Sequence, residues 1–473
     1  MKRDDVYYEA MKARDYRFDG KFFVGVKTTG IYCRPICPAK PKKENVEFFP
    51  NHLAAERAGY RPCLRCRPES APQSAVWIGK SAIVRRAIKM ISHLESLDFN
   101  EEGFAGLFGV SARHLRRIFA EEIGKTPKQL CFENRLNLAR KFIVETTLPI
   151  TEIAFASGFH SVRRFNDAFK DRFTTSPSDV RRKAPAKGGG IKLSLSYRPP
   201  FDFVGLMRSY EAHRMGKLEW FENNRMHRVV EFGGKVGIIM VSNDPENSRL
   251  WVDIDFPDTK MLHAIVSRVR HLFDLDSDPL VVANSLRRDP KIKNLLKKHA
   301  GIRLPSGWDS FEVAIGIILG QFVSVDCGRI LVENLIDLLG SESGFKRGGT
   351  SVKLFPTPKQ IASADLNDLK TTGAKKQTLI AFSKMVAEGS LSLEATQDVD
   401  KFLKKVIAVK GIGEWTANYM ALKVLRYTDA FPETDLVLSR TLKFHSQEAI
   451  AQMRPWRGYV AALFWREYHE RLK

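Results

Sequence analysis

Two close cysteine pairs constrain this chain more than any other feature. Cys33-Arg-Pro-Ile-Cys37 and Cys63-Leu-Arg-Cys66 each put two thiols within a single turn, and 25 residues separate the pairs. Two such turns fit four thiolates around one tetrahedral zinc ion, and Pro35, Pro38 and Pro62 suit short knuckles of that kind. The competing arrangement, two disulfides, belongs to oxidising compartments and short cysteine-dense chains. Six cysteines among 473 residues do not make such a scaffold. A zinc ion with four thiolates carries a formal charge of −2, and its sulfurs stay deprotonated at neutral pH. They either close a structural site or attack an alkyl group borne by DNA, and spacing does not choose between the two.

The length implies about three or four domains at roughly 100–200 residues each. A hydrophobic content of 44% excludes wholesale disorder. The start, Met1-Lys-Arg-Asp-Asp-Val, has no apolar core of a signal peptide, and Val313 to Val325 is too short to span a bilayer. A cytoplasmic protein with no membrane partner is expected. The net charge of +22 makes nucleic acid the first partner to consider. It is uneven: residues 1–190 carry 35 Lys and Arg against 21 Asp and Glu. Arg181-Arg-Lys-Ala-Pro-Ala-Lys-Gly-Gly-Gly190 reads as a linker, and Pro68 to Ser74 as a weaker break.

The expected fold is multidomain α+β. Residues 1–74 form a small zinc-bound α/β domain. Residues 80–183 form an all-α double helix-turn-helix. Residues 191–300 form a strand-rich lobe, signalled by Ile191-Lys-Leu-Ser-Leu-Ser-Tyr197 and Arg228-Val-Val-Glu-Phe-Gly233. Residues 301–473 form an all-α domain.

In the first segment, Phe22-Phe-Val-Gly-Val-Lys-Thr-Thr-Gly-Ile-Tyr-Cys33, Glu44-Asn-Val-Glu-Phe-Phe49 and Gly59-Tyr-Arg-Pro-Cys63 flank the cysteines. This stretch closely resembles the N-terminal domain of the Ada family, which binds zinc and takes a methyl group irreversibly from methylphosphotriesters in DNA. The resemblance implies one zinc ion held by Cys33, Cys37, Cys63 and Cys66, with Cys33 as methyl acceptor. It also implies that Thr29, Arg34 and Lys40 meet the DNA backbone. Methylation would take the site from −2 to −1, weaken its repulsion of phosphate and raise DNA affinity without a new contact.

The second segment repeats itself with an offset of 50. Ser111, Arg113, Phe119 and Pro127 recur as Ser161, Arg163, Phe169 and Pro177, and Leu115 and Ile123 as Phe165 and Phe173. A turn glycine, a capping Ser and an Arg-bearing amphipathic helix fit helix-turn-helix geometry. One basic helical hairpin is often only a solvated face, but two in tandem point to DNA. The pair resembles the AraC-type regulator domain. By position, Ala112, Arg113, Arg116, Arg117, Ser161, Arg163 and Arg164 are the candidate DNA contacts, on recognition helices joined by a helix over Phe132 to Glu145. RNA polymerase is a further expected partner.

In the last segment, Val409-Lys-Gly-Ile-Gly-Glu-Trp415 reads as a hairpin between two helices. Gly411 and Gly413 would bring backbone amides to a phosphate without reading sequence. Asp435 follows 22 residues after Gly413, in Phe431-Pro-Glu-Thr-Asp-Leu-Val-Leu438. An Asp before an apolar run is most often a helix cap. It is also the group that would stabilise positive charge on a deoxyribose.

Hairpin, Asp and spacing together resemble the helix-hairpin-helix DNA glycosylases of the AlkA-type 3-methyladenine class. Tyr197-Arg-Pro-Pro-Phe-Asp202, Leu272-Phe-Asp-Leu275, Ile318-Leu-Gly-Gln-Phe-Val-Ser-Val325 and Lys423 extend the match, with gaps around 342–353. The resemblance implies Asp435 as the catalytic acid and Trp415, Tyr419, Trp465, Tyr210 and Arg214 as pocket walls. It implies Phe322, together with Gln321, as the wedge that replaces a flipped base. Aromatic walls favour cationic alkylated purines, although any single Trp is more often core. No Lys stands where a Schiff-base lyase would need one, so a monofunctional glycosylase acting on alkylated double-stranded DNA is expected. No Pro-Cys-His-Arg element occurs, so no O6-methylguanine transferase half is expected. Cys131 and Cys327 are expected to be bystanders. The competing reading is a regulator or DNA-binding scaffold with structural zinc and no catalysis.

Overall fold

The computed structural model describes residues 3–13, 18, 22–35, 37, 39–50, 52–63, 66, 68, 82–92, 99–108, 110–182, 191–287, 289–394, 399–442, 450 and 452–471. The two breaks expected from composition, at residues 68–74 and 181–190, fall almost entirely outside these. The chain divides into two compact units, Met1–Arg135 and Leu136–Lys473. The division lies inside one long helix, Pro127–Glu145.

In the first unit, strands β1 (Phe23–Val26), β2 (Ile31–Cys33), β3 (Val46–Phe49) and β4 (Arg61–Pro62) form a sheet in the order β3-β1-β2-β4. Strand alternation sends Phe22, Val24 and Phe48 to a cluster with Tyr7, and Phe23, Tyr32 and Phe49 to a separate cluster with Ala55 and Tyr60. Gly25 is required there: a Cβ would lie 2.7 Å from the Phe49 ring. The pairing of β2 with β4 is parallel, and the Cys63 amide donates to the Tyr32 carbonyl at 2.9 Å, bringing the end of each strand to one place.

The helices Ala82–Ser92, Glu101–Gly106 and Ala112–Ile123 bury Val84, Phe104, Leu115 and Phe119 in a third cluster. Ser111 caps the last of them, accepting from the His114 amide at 3.2 Å, and Gly124 ends it at φ 76°. Lys125, just beyond, donates to Glu56 and Glu133. Glu56 also accepts from the Tyr32 hydroxyl at 2.9 Å, so a half-buried polar chain joins β2 to the recognition helix.

In the second unit, the repeat gives the helices Ile150–Ala156 and Val162–Phe173. They do not stand apart. Phe142, Ile143, Ile153, Phe165 and Phe169 share one core with Leu193, Leu195, Val252 and Ile265 of the strand-rich lobe. Polar contacts fix the same junction: Glu145 accepts from the Ser194 amide at 2.6 Å and from its hydroxyl at 2.8 Å, and Lys141 donates to the Ser194 carbonyl.

That lobe is an antiparallel sheet of β5 (Ile191–Ser196), β6 (Glu219–Glu222), β7 (Arg225–Phe232), β8 (Lys235–Asp244) and β9 (Arg249–Asp255), in the order β5-β9-β8-β7-β6. Arg228 of β7 is buried and binds Glu219 and both oxygens of Glu312 on the helix Ser310–Leu319, tying the sheet to the helical domain. Deleting one member of such a triad would leave an uncompensated buried charge.

The remaining helices pack around Ile315, Ile318, Phe382, Met420 and Leu463. One element here was not expected. A hairpin of β10 (Glu342–Arg347) and β11 (Thr350–Lys353) turns at Gly348 and Gly349, with φ 55° and 78°, where the family resemblance has its gap.

Candidate active site, metal centre and nucleic-acid interface

Asp435 precedes the helix Leu436–Leu442. Its Oδ1 accepts from the amides of Val437 at 3.0 Å and Leu438 at 3.1 Å, so the capping role holds. It is not the only role. The indole Nε1 of Trp465, on the helix Arg457–Arg471, donates to the same oxygen at 3.0 Å. With Oδ1 held from two sides, Oδ2 accepts no hydrogen bond among the described residues. One carboxylate oxygen is thus fixed by structure and the other left for charge outside it.

A run of rings leads away from that acid through Trp465. Trp415 stacks on Tyr419 with centroids 5.3 Å apart, and Tyr419 meets Trp465 edge to face at 5.4 Å. All three are half-buried. Burial, and secondarily the nearby Asp435 charge, push the Tyr419 hydroxyl well above its ordinary range, so it stays neutral. Lys423 Nζ lies 5.7 Å from the Tyr419 centroid and 5.9 Å from that of Trp465, and burial pulls its ammonium down to about 7.

The structure does not bring Tyr210 into this group. It is buried beside Phe273, its hydroxyl donates to the Leu272 carbonyl, and it accepts from the Ser306 amide at 3.4 Å. Arg214 is half-buried in the turn beyond the helix Phe203–Ala212.

Phe322 sits between the helices Ser310–Leu319 and Val325–Leu339 and is fully exposed, at 103%. Its φ of 57° is unusual for a bulky residue and is held by its neighbours. Gln321 is buried and donates to the Gly411 carbonyl at 3.1 Å and to Thr416 Oγ1 at 2.7 Å. Lys375 Nζ binds the carbonyls of Leu319 and Gln321 at 3.0 and 2.9 Å. The Phe322 loop is therefore tied to the glycine hairpin.

That hairpin joins the helices Val399–Ile407 and Glu414–Lys423. Gly411 has φ 94°, and a Cβ on it would lie 2.1 Å from Thr378 Oγ1. Gly413 opens the second helix with no side-chain cap and open space before it, leaving its first amides facing outward. Gln321, expected with Phe322 at the wedge, is buried at 6% and ties the loop down instead of projecting from it. The parts that Thr378 and Lys375 play in the hairpin and the loop carry no signal in the sequence. Lys423 was matched but given no role, although Trp415, Tyr419 and Lys423 follow at four-residue steps along one helix face.

At the other end of the chain, the sulfurs of Cys33, Cys37, Cys63 and Cys66 lie within 4.8 Å of one another. A tetrahedral zinc with Zn–S near 2.3 Å needs sulfurs about 3.8 Å apart, so the donor set fits one zinc ion. Cys33 and Cys37 are buried, and Cys63 and Cys66 are half-buried. Hydrogen bonds to Cys37, Cys63 and Cys66, then burial, push the Cys33 thiol far above its ordinary range. A divalent cation reverses that balance and deprotonates the cluster.

Arg34, expected at the DNA backbone, is only 6% exposed. Its guanidinium donates to the Cys66 carbonyl at 3.1 Å and its amide to the Cys66 sulfur at 3.4 Å, so it braces the metal site. Thr29 and Lys40 are exposed. In the first helix-turn-helix Arg113, Arg116 and Arg117 are exposed, whereas Ala112 is core at 1%. In the second, Arg163 and Arg164 are exposed, and Ser161 caps the helix through the Arg164 amide at 3.5 Å. Among the described residues no helix is long and apolar enough to cross a membrane.

Fold and site together define a multidomain protein of the DNA-repair type, with an Ada-type zinc site at one end and a helix-hairpin-helix glycosylase fold at the other. Three families match it: "Metal binding domain of Ada" over residues 6–69, "Helix-turn-helix domain" over 104–183 and "AlkA N-terminal domain" over 192–309. A Mycobacterium tuberculosis protein named "Probable bifunctional transcriptional activator/DNA repair enzyme AlkA" is 33% identical over 97% of this chain and 95% of its own length. The chain belongs to that family of bifunctional activator/repair proteins. "Bifunctional transcriptional activator/DNA repair enzyme AdaA" of Bacillus subtilis is 32% identical over 38% of this chain and 82% of its own. Among solved structures, the 3-methyladenine DNA-glycosylase from Archaeoglobus fulgidus shares the fold at a TM-score of 0.50, with 18% identity over 58% of this chain and 99% of its own.

Proposed function

We propose that this chain hydrolyses the N-glycosidic bond of alkylated bases in double-stranded DNA, and that its N-terminal zinc domain accepts a methyl group from DNA phosphotriesters to trigger promoter binding. The observation that carries the first half is Asp435 at the end of a run of three rings, Trp465, Tyr419 and Trp415, with Oδ1 held by Trp465 and Oδ2 accepting no hydrogen bond among the described residues. A base flipped between Trp415, Tyr419 and Trp465 would lie on electron-rich faces, which favour a cationic purine such as 3-methyladenine or 7-methylguanine. As the bond to C1′ breaks, Asp435 stabilises the positive sugar and orients the attacking water. Phe322 fills the gap left in the duplex, and the amides after Gly413 hold the backbone phosphate.

In the zinc domain, Cys33, Cys37, Cys63 and Cys66 would hold a zinc ion that would keep their sulfurs ionised. The Cys33 sulfur attacks the methyl carbon, the methyl C–O bond breaks, and the phosphodiester leaves as the anion. Cys37, Cys63 and Cys66 complete the metal site. Arg113, Arg116, Arg117, Arg163 and Arg164 are the DNA contacts proposed for the regulator. Purified full-length protein on methylated DNA tests both halves. Free 3-methyladenine should appear and vanish with Asp435→Asn, and a methylated Cys33 peptide should appear and vanish with Cys33→Ser. Absence of both products from the wild type would leave the scaffold reading.

A further inference from the structure

Lys423 is the one cation directed at the aromatic group around Asp435 among the described residues. It ends the helix that carries Trp415 and Tyr419. Its amine faces two rings at 5.7 and 5.9 Å, and no hydrogen bond or ion pair to it is formed among the described residues. Lys423 is half-buried, and an ammonium held there has less water around it than at the surface and no counter-ion among the described residues to keep it charged.

Damaged bases fall into two chemical classes. A base with a fixed positive charge in DNA leaves as a neutral molecule and needs no proton. A base that is uncharged in DNA leaves as an anion unless a proton reaches a ring nitrogen while the bond breaks. The aromatic walls serve the first class. They can stack on the second class too, but they supply no proton for its departure, which needs an acid inside the pocket.

Resting on the glycosylase reading above, we propose that Lys423 is the general acid for uncharged damaged bases. Its ammonium donates a proton to a ring nitrogen of the flipped base as the C1′–N bond breaks. The base departs neutral and Lys423 is left as the free amine. Water adds its hydroxyl to C1′ beside Asp435, and the proton that this water releases restores the ammonium. The sum is hydrolysis, with no other reactant. Burial favours the donation, because it already pulls the ammonium down to about 7. The same feature suits the cationic class: a neutral Lys423 no longer repels a cationic base from the rings they share.

The test uses the full-length protein with two otherwise identical duplexes, one carrying hypoxanthine, uncharged, and one carrying 7-methylguanine, cationic. Base release is measured in single turnover for wild type, Lys423→Met and Lys423→Arg. Both variants should lower the ratio of hypoxanthine to 7-methylguanine release by about tenfold or more, because arginine keeps the charge but does not surrender its proton. Release of 7-methylguanine by each variant shows that it is folded. An unchanged ratio overturns the proposal, as does a wild type that releases 7-methylguanine but no hypoxanthine. A Lys423→Arg protein with the wild-type ratio also overturns it, since charge alone would then suffice. Release of neither base by the wild type would instead defeat the glycosylase reading on which it rests.

Discussion

The two oxygens of Asp435 differ in their surroundings, and the difference has a measurable consequence. Oδ1 caps a helix and takes the Trp465 indole, while Oδ2, which accepts no hydrogen bond among the described residues, is the one proposed for the substrate. Asparagine keeps an acceptor for the cap but loses the charge. Asp435→Asn should therefore lower base release by about a hundredfold or more, with thermal stability within about 1 kcal/mol of wild type. A large drop in melting temperature would instead mean that the residue serves mainly as a cap. Gln321 acts one step away. Gln321→Ala removes both ties between the Phe322 loop and the hairpin. It should slow base release by about tenfold while leaving methyl transfer to Cys33 unchanged, as peptide mass would report.

Local spacing made some placements legible in the sequence. The cysteine spacing anticipates the clustered sulfurs, and the Asp before an apolar run anticipates the Asp435 cap. The exposure of Phe322 follows from no local pattern, since it lies in an apolar stretch, and only the family resemblance pointed to it. Roles that depend on partners far along the chain were not legible. The family resemblance puts Arg34 at the DNA backbone, and in the structure its guanidinium is buried and donates to the Cys66 carbonyl, 32 residues away. Tyr210 reads as a pocket wall, yet the Leu272 carbonyl, 62 residues away, draws it into the core.

At the scale of elements, the glycine hairpin is built on a contact that only glycine permits. Gly411→Ala would force a Cβ against Thr378 at a φ of 94°. It should cost about 1–3 kcal/mol of stability and weaken duplex binding, which melting and titration with undamaged DNA would show. The zinc domain should depend on its metal for the same kind of reason. Its two aromatic clusters are small, and β2 and β4 meet at the cysteines. Chelation should abolish methyl transfer and unfold residues 1–70 while leaving base release intact, which hydrogen exchange on the full chain would resolve. The repeat at offset 50 was readable because helix-turn-helix units carry their caps and core at fixed positions. The β10–β11 hairpin was missed because it lies where the family pattern breaks off, although its Gly348-Gly349 turn was in view.

For the whole molecule, the sequence places a boundary at the glycine run before residue 191, and the packing places one inside the helix Pro127–Glu145. Composition registers linkers but not the apolar surface on either side of them. Phe142, Ile143, Ile153 and Phe169 bury against strands that begin after that run. A fragment ending at residue 183 should therefore melt well below the intact protein and bind a hydrophobic dye, because its second helix-turn-helix loses its partner sheet. A fragment that melts like the intact chain would contradict this. Because Ser194 and its neighbouring strand residues share a core with the second helix-turn-helix, the gene cannot be split there into freestanding regulator and glycosylase-fold halves. Separating the two in evolution, or in the laboratory, would mean rebuilding an interior rather than trimming a tether, and until then a cell makes one copy of each for every copy of the other.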